Sequence, residues 1–246
     1  MQTVESEKAM NSPKLSERSK PFIDYLETWL AILPQVDLRE TLAEPAKAAI
    51  ISTDMINGFC RSGPLASPRV EALISPISRL LRAAWELGVR NIILTQDTHD
   101  PDALEFEAYP PHCVRGTEEA ETVAEIKQLP FYDRMVVIEK NTISSNLETA
   151  LDGWIEDHPE VDRYIIVGNC SDICVYQMAL ALRLQANAQG RQRRVIVPQN
   201  CVDTFDTPVS TAKELGILPH DGDLLHHVFL YHLALNAVEV IDSFNL

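Results

Sequence analysis

Tyr164-Ile165-Ile166-Val167-Gly168-Asn169-Cys170-Ser171-Asp172-Ile173-Cys174-Val175 is an apolar run that stops at a glycine and restarts as a helix. Its first four residues read as a strand buried on both faces, and the run from Tyr176 to Gln189 reads as the helix that follows. Ser171 and Asp172 are residue types that open helices. Cys174 then falls in the first turn, among backbone N–H groups with no intrahelical partner, where the helix dipole favours a thiolate. A free cysteine is more often a small buried hydrophobe, so the rest of the chain has to decide between the two readings.

Working outward, the same alternation recurs. Ala48–Thr53, Asn91–Thr95, Met135–Ile138, Val195–Val197 and Val238–Ile241 read as further strands. Helical periodicity covers Val70–Leu87, Glu118–Gln128, Leu147–Trp154, Thr207–Leu215 and Leu224–Leu235, with Gly88 placed as a C-cap and Asp206 or Thr207 as an N-cap. Strand and helix in alternation predict an α/β fold: one doubly wound, three-layer domain over 46–246 with a mostly parallel six-stranded sheet. Ahead of it, 1–45 reads as an extension. Residues 1–19 form a polar, solvated tail, and Phe22–Leu33 is an amphipathic helix ended by Pro34.

Composition narrows the function. The 246 residues carry a formal charge of -15, which argues against nucleic-acid binding, since phosphate neutralisation needs clustered Lys and Arg. Five cysteines at irregular spacing make no disulfide framework and suit a reducing compartment. No apolar run reaches membrane-spanning length, and the expected location is cytoplasmic.

In an open parallel sheet, ligands bind beyond the carboxyl ends of the strands. Asp54, Lys140 and Cys174 each lie at or just after such an end, and Asp97 and His99 follow another. A carboxylate could take the thiol proton and later return it to a leaving amine, with a lysine favouring the thiolate. Taken singly, Asp54 is equally well a turn residue and Lys140 an exposed strand end. Asp97, His99 and His112 offer mixed N and O donors for a divalent ion of the Zn, Mn or Fe kind, although two histidines and an aspartate also occur in ordinary polar loops.

Five segments together resemble the cysteine hydrolase (isochorismatase-like) superfamily and, within it, the nicotinamidases. They are Asp54–Cys60, Gln96–His99, Tyr109–Thr117, Glu139–Asn141 and Val167–Val175, and the similarity spans roughly residues 46 to 242. The resemblance implies a catalytic triad of Asp54, Lys140 and Cys174, with an oxyanion held by the backbone N–H groups of Cys170 and Cys174 beside a cis peptide at Asn169–Cys170. It implies a metal on Asp97, His99 and His112, zinc before manganese or iron, that binds a pyridine nitrogen of the substrate. Relatives often carry a further histidine between the last two, and this chain has none. Some use a glutamate at the place of Glu105, with Asp102 and Glu107 as competitors here. Phe59 and Tyr109 fall where the family sets aromatic walls against the ring.

The activity so implied is hydrolysis of nicotinamide to nicotinate and ammonia in NAD salvage, extending to analogues such as pyrazinamide, by a protein that is often a homo-oligomer. The alternatives are a metal-independent hydrolase of ureido or carbamoyl amides or of vinyl ethers, and a non-catalytic binding paralogue. Cys60, Cys113 and Cys201 have no assigned chemistry, and His226, His227 and His232 read as packing or interface residues.

Overall fold

A continuous apolar run can bury both faces of a strand only in the middle of a layered fold, and that is where this chain puts its strands. The computed structural model describes residues 14–246. Its main elements are α1 (Leu15–Ala31), β1 (Gln35–Asp37), β2 (Ala48–Thr53), α2 (Ile74–Glu86), β3 (Asn91–Asp97), β4 (Val136–Lys140), α3 (Leu151–Asp157) and β5 (Arg163–Asn169). Then follow α4 (Cys174–Gln189), β6 (Arg194–Pro198), β7 (Val202–Asp203), α5 (Val209–Leu215), α6 (Gly222–Leu235), β8 (Glu239–Ile241) and β9 (Ser243–Asn245).

The main sheet runs β4-β3-β2-β5-β6-β8, and every pairing in it is parallel. The six expected strands are all present. A two-residue seventh, β7, pairs with the end of β5 through Gly168↔Val202 and Asn169↔Asp203. The chain builds outward from β2 through β3 to β4, then returns to the other side of β2 with β5. The topological switch point therefore lies between β2 and β5, and their carboxyl ends open onto one crevice.

Side chains alternate between the two faces of the sheet. Ile50, Ile92, Leu94, Ile165 and Val167 pack under Ile77, Leu80, Leu81 and Ala84 of α2. Ala49, Ile51, Ile93 and Ile166 pack under Val175, Met178, Ala179 and Leu182 of α4 and Leu230 and Leu233 of α6. The layers are helix, sheet, helix, as expected. Helix α1 buries Leu26 and Leu30, and its Trp29 meets Tyr231 of α6 edge-on with centroids 5.3 Å apart. Strands β1 and β9 pair in parallel and tie the segment after α1 to the C-terminal end.

Several boundaries differ from the sequence reading. The expected tail over 1–19 is helical from Leu15, since α1 begins there with Glu17 in its first turn; residues 1–13 of that tail lie outside the described residues. The helix expected over Glu118–Gln128 breaks into a 3-10 turn and the single turn Ala124–Lys127. Its backbone is taken up elsewhere: Asn57 N–H donates to Glu121 O and Val123 N–H to Met55 O. The expected cap Asp206 instead accepts the Gly222 N–H at 2.9 Å, and α5 begins two residues after Thr207. Ser171 and Asp172 do not cap α4, which has no side-chain cap; they face His226 and His220.

Candidate active site

The crevice at the switch point gathers the residues that the sequence placed at strand ends. Asp54 follows β2, Asp97 ends β3, Lys140 ends β4 opposite Asp97 in register, and Cys174 opens α4. Asp54 sits at φ 55°, pinned by its N–H to Thr95 O at 2.8 Å and by Asn169 Nδ2, which donates to its carbonyl at 2.6 Å. β5 reaches Asp54 this closely because residue 168 is glycine: a Cβ there would lie 2.0 Å from Thr53 O. The Asn169–Cys170 peptide is cis. Beyond it the N–H groups of Cys170 and Cys174 donate to no backbone acceptor among the described residues.

Lys140, Asp54 and Cys174 are all buried. The Lys140 ammonium lies 2.9 Å from Asp54 Oδ2, bonds Asp97 Oδ1, and reaches Cys174 Sγ at 3.9 Å. Asp54 Oδ1 accepts the Asp97 N–H at 2.8 Å, whereas Oδ2 has an ion pair with Lys140 but no aligned hydrogen-bond donor. A carboxylate oxygen of Asp54 lies within 4.8 Å of Sγ as part of the Asp54, Asp97 and Cys174 group.

Burial pushes the Asp54 carboxyl up to about 7, with Asp97 adding to the rise and Lys140 only partly offsetting it. Burial opposes the charge of Lys140, but Asp54 and Asp97 outweigh it and hold the ammonium well above the usual lysine range. Burial also raises the Cys174 thiol well above its ordinary value, Lys140 notwithstanding. The helix position that favours a thiolate is thus opposed by the surroundings: burial and two nearby carboxylates raise the Cys174 thiol, and Lys140 lowers it.

Beside this group lie Asp97, His99, Glu105 and His112, whose donor atoms all fall within 4.8 Å of one another. His99 Nε2 is 3.6 Å from Asp97 Oδ1 and 3.7 Å from Glu105 Oε1; His112 Nε2 is 3.9 Å from Asp97 Oδ2. The other ring nitrogens are engaged: His112 Nδ1 lies 2.8 Å from Pro110 O and His99 Nδ1 3.3 Å from Asn141 Oδ1. With the Nδ1 hydrogens donated to those oxygens, both Nε2 atoms keep lone pairs that point inward. His99 Nε2 is buried without a hydrogen-bond partner. Two imidazoles, one with an orphaned nitrogen, and two carboxylates suit a divalent metal. Asp102 and Glu107 are exposed and outside it, so Glu105 is the fourth member.

A narrow cleft lies above both groups, and Phe59 and Tyr109 are among the residues that line it. Leu65, Ile143, Ile173 and Phe205 line it as well, and sequence reasoning missed all four. Asn141 follows Lys140 directly and was open to discovery as a strand-end residue. Phe205 sits in the loop after β7, where nothing in the local pattern marks it. The three histidines of α6 stay outside the site: His226 meets Ser171 Oγ at 2.9 Å and His232 meets the Tyr176 hydroxyl at 2.8 Å.

A doubly wound parallel sheet with aspartate, lysine and cysteine converging at its switch point is the architecture of one known class, and the isochorismatase domain profile matches residues 48–214. The chain belongs to the isochorismatase domain family. Among proteins in that class, it is 29% identical over 218 residues to Nicotinamidase 1 of Arabidopsis thaliana, with 82% of this chain and 88% of that one covered. Its fold resembles the pyrazinamidase/nicotinamidase of Streptococcus mutans UA159 (TM-score 0.64, 22% identity, 79% of this chain and 99% of the other). It also resembles the pyrazinamidase of Pyrococcus horikoshii in complex with zinc (TM-score 0.59, 22% identity, 79% and 98% covered). No helix among the described residues is long and apolar enough to cross a membrane.

Proposed function

We propose that this protein is a metal-assisted cysteine amidohydrolase that converts nicotinamide to nicotinate and ammonia, and accepts close analogues such as pyrazinamide. One observation carries the reading: a buried acid, base and thiol share a cleft with a four-donor metal group, and Asp97 bridges the two. The nicotinamidase relatives supply the substrate class. A metal-independent ureido or carbamoyl hydrolase would have no use for two inward-facing imidazoles.

In the first half-reaction Asp54 takes the Sγ proton as the sulfur forms its bond to the amide carbon. Charge develops on the carbonyl oxygen, where the N–H groups of Cys170 and Cys174 receive it. Asp54 returns the proton to the nitrogen, the C–N bond breaks, and ammonia leaves a thioester on Cys174. Water then adds with Asp54 again as base, the C–S bond breaks, and the thiol is restored with release of the acid. Lys140 keeps the two carboxylates and the transient thiolate compatible at close range. When bound by Asp97, His99, Glu105 and His112, a divalent ion, zinc by preference, supplies a Lewis-acid anchor for a ring nitrogen. Phe59 and Tyr109 flank the ring, and the location expected for such salvage chemistry is the cytoplasm.

The test is ammonia release from nicotinamide by the protein as purified, after chelation, after return of zinc, and with Cys174→Ala. Loss on chelation, recovery with metal, and no turnover by the mutant support the reading. A metal-loaded wild type that leaves nicotinamide intact overturns it.

A further inference from the structure

His220 lies outside the groups described so far, yet it touches the machinery from behind. Its Nε2 is 2.8 Å from Asp172 Oδ2, and its Nδ1 is 2.9 Å from the Phe205 carbonyl oxygen. The imidazole also stacks on the Phe205 ring, with centroids 3.8 Å apart and planes 19° apart. The backbone of His220 is fixed in turn by two hydrogen bonds with Thr207, at 2.7 and 2.9 Å. Asp172 is buried, its other carboxylate oxygen has no partner, and it belongs to the Cys170–Cys174 loop that carries the two N–H groups. Phe205, Cys170, Ile173 and Cys174 all line the cleft.

We propose that His220 is a positioning residue: it clasps Asp172 to Phe205, and so fixes both the loop that presents the nucleophile and the aromatic wall opposite. The assignment of a role in the reaction rests on the function proposed above. One ring nitrogen thus meets a carboxylate and the other a backbone carbonyl oxygen. A single imidazole thereby bridges the Asp172 turn and the segment after β7, and Ser171 N–H donating to Asp203 O of β7 at 2.9 Å is a second tether. That second tether, together with the Ser171 Oγ contact to His226, keeps the loop folded when His220 is changed. What the clasp adds is placement of the N–H groups, and an oxyanion donor works only if it meets the developing charge at 2.7–3.1 Å.

Two amide variants separate the bonds. In His220→Gln the side-chain nitrogen reaches where Nε2 stood and keeps the Asp172 bond. In His220→Asn it stands where Nδ1 was and keeps only the Phe205 bond. Two readouts are taken on the full-length, metal-loaded protein: amide hydrogen exchange of the 170–174 segment, and kcat and KM for nicotinamide. The expected result is faster exchange in His220→Asn with kcat down about 10- to 100-fold at nearly unchanged KM, smaller than the roughly 10²–10³ of deleting a donor outright. His220→Gln, which keeps the Asp172 bond and loses the Phe205 bond, falls between His220→Asn and the wild type in both readouts. Asp172→Ala matches His220→Asn, and the double variant is no worse than either. Unchanged exchange in His220→Asn overturns the clasp. Faster exchange with unchanged kcat overturns its role in positioning. If the wild type does not hydrolyse nicotinamide, the proposed function fails by itself, and the exchange arm still decides the clasp.

Discussion

Lys140 is the residue on which the electrostatics of the site turn, because its ammonium is the cation shared by two buried carboxylates and a buried thiol. Replacing it by methionine keeps the stem and removes the charge. Asp54 and Asp97 would then face each other in a dry site, and breaking a buried ion pair this way costs about 3–5 kcal/mol. Lys140→Met should therefore lower the urea midpoint markedly and abolish turnover even where the protein is folded. A midpoint indistinguishable from wild type would mean that solvent reaches the pair. At this scale much of the site was legible: Asp54, Lys140 and Cys174 stand at strand ends, where a parallel sheet presents its chemistry. The surroundings of Cys174 were not, since helix position is local and can be read, whereas burial beside two carboxylates is tertiary and cannot. Glu105 was one of three acidic residues in a loop, and only folding put it beside His99. The pairing of His220 with Asp172 joins positions far apart in sequence through no pattern that either one displays.

Among the elements, β5 carries the design furthest, since its last residues approach β2 so closely that a side chain has no room. Gly168 has φ 111° and would place a Cβ 2.0 Å from Thr53 O, 2.8 Å from Thr53 N and 2.9 Å from Thr53 C. Backbone atoms cannot give way as a flexible side chain can. Gly168→Ala should push β5 from β2, separate Cys174 from Asp54, and cost both stability and activity; Gly190→Ala, also at positive φ but with open space around its Cβ, should cost only the local strain. Melting temperature and ammonia release for the two variants check this, and equal losses would remove steric contact as the cause. The six strands of the expected sheet were read to within two residues because each is a short apolar run, a strong local signal, whereas the short β1, β7 and β9 were not read. Helices shifted wherever backbone groups found partners across the chain, as Glu121 and Val123 do with the 55–57 loop. Helix α4 matched from Cys174 to Gln189, where Gly190 in the left-handed region closes it.

Over the whole molecule, the fold places its remaining cysteines in the core, and this has a consequence for stability in alkali. Burial pushes the thiols of Cys60 and Cys201 up to about 12 from an ordinary value of 9.0. Neither belongs to the cleft, and all five cysteines are free. Between pH 9 and 12 the unfolded chain gives up protons that the folded chain keeps. The unfolded state then binds fewer protons than the native one, so stability falls as pH rises, by about 1.4 kcal/mol per pH unit for each such thiol. Below pH 9 both states hold the proton and nothing is lost. Cys201→Ala removes one of these titrations while leaving the tyrosines and lysines as they were, so the comparison lies in the slopes rather than in the absolute values. Urea midpoints measured from pH 8 to pH 10.5 should decline less steeply in the variant by about one thiol's share, even where its midpoint at pH 8 is slightly lower from the lost packing. Parallel slopes would mean that Cys201 ionises in the folded chain as readily as in the unfolded one, which requires water to reach a position that is 2% exposed.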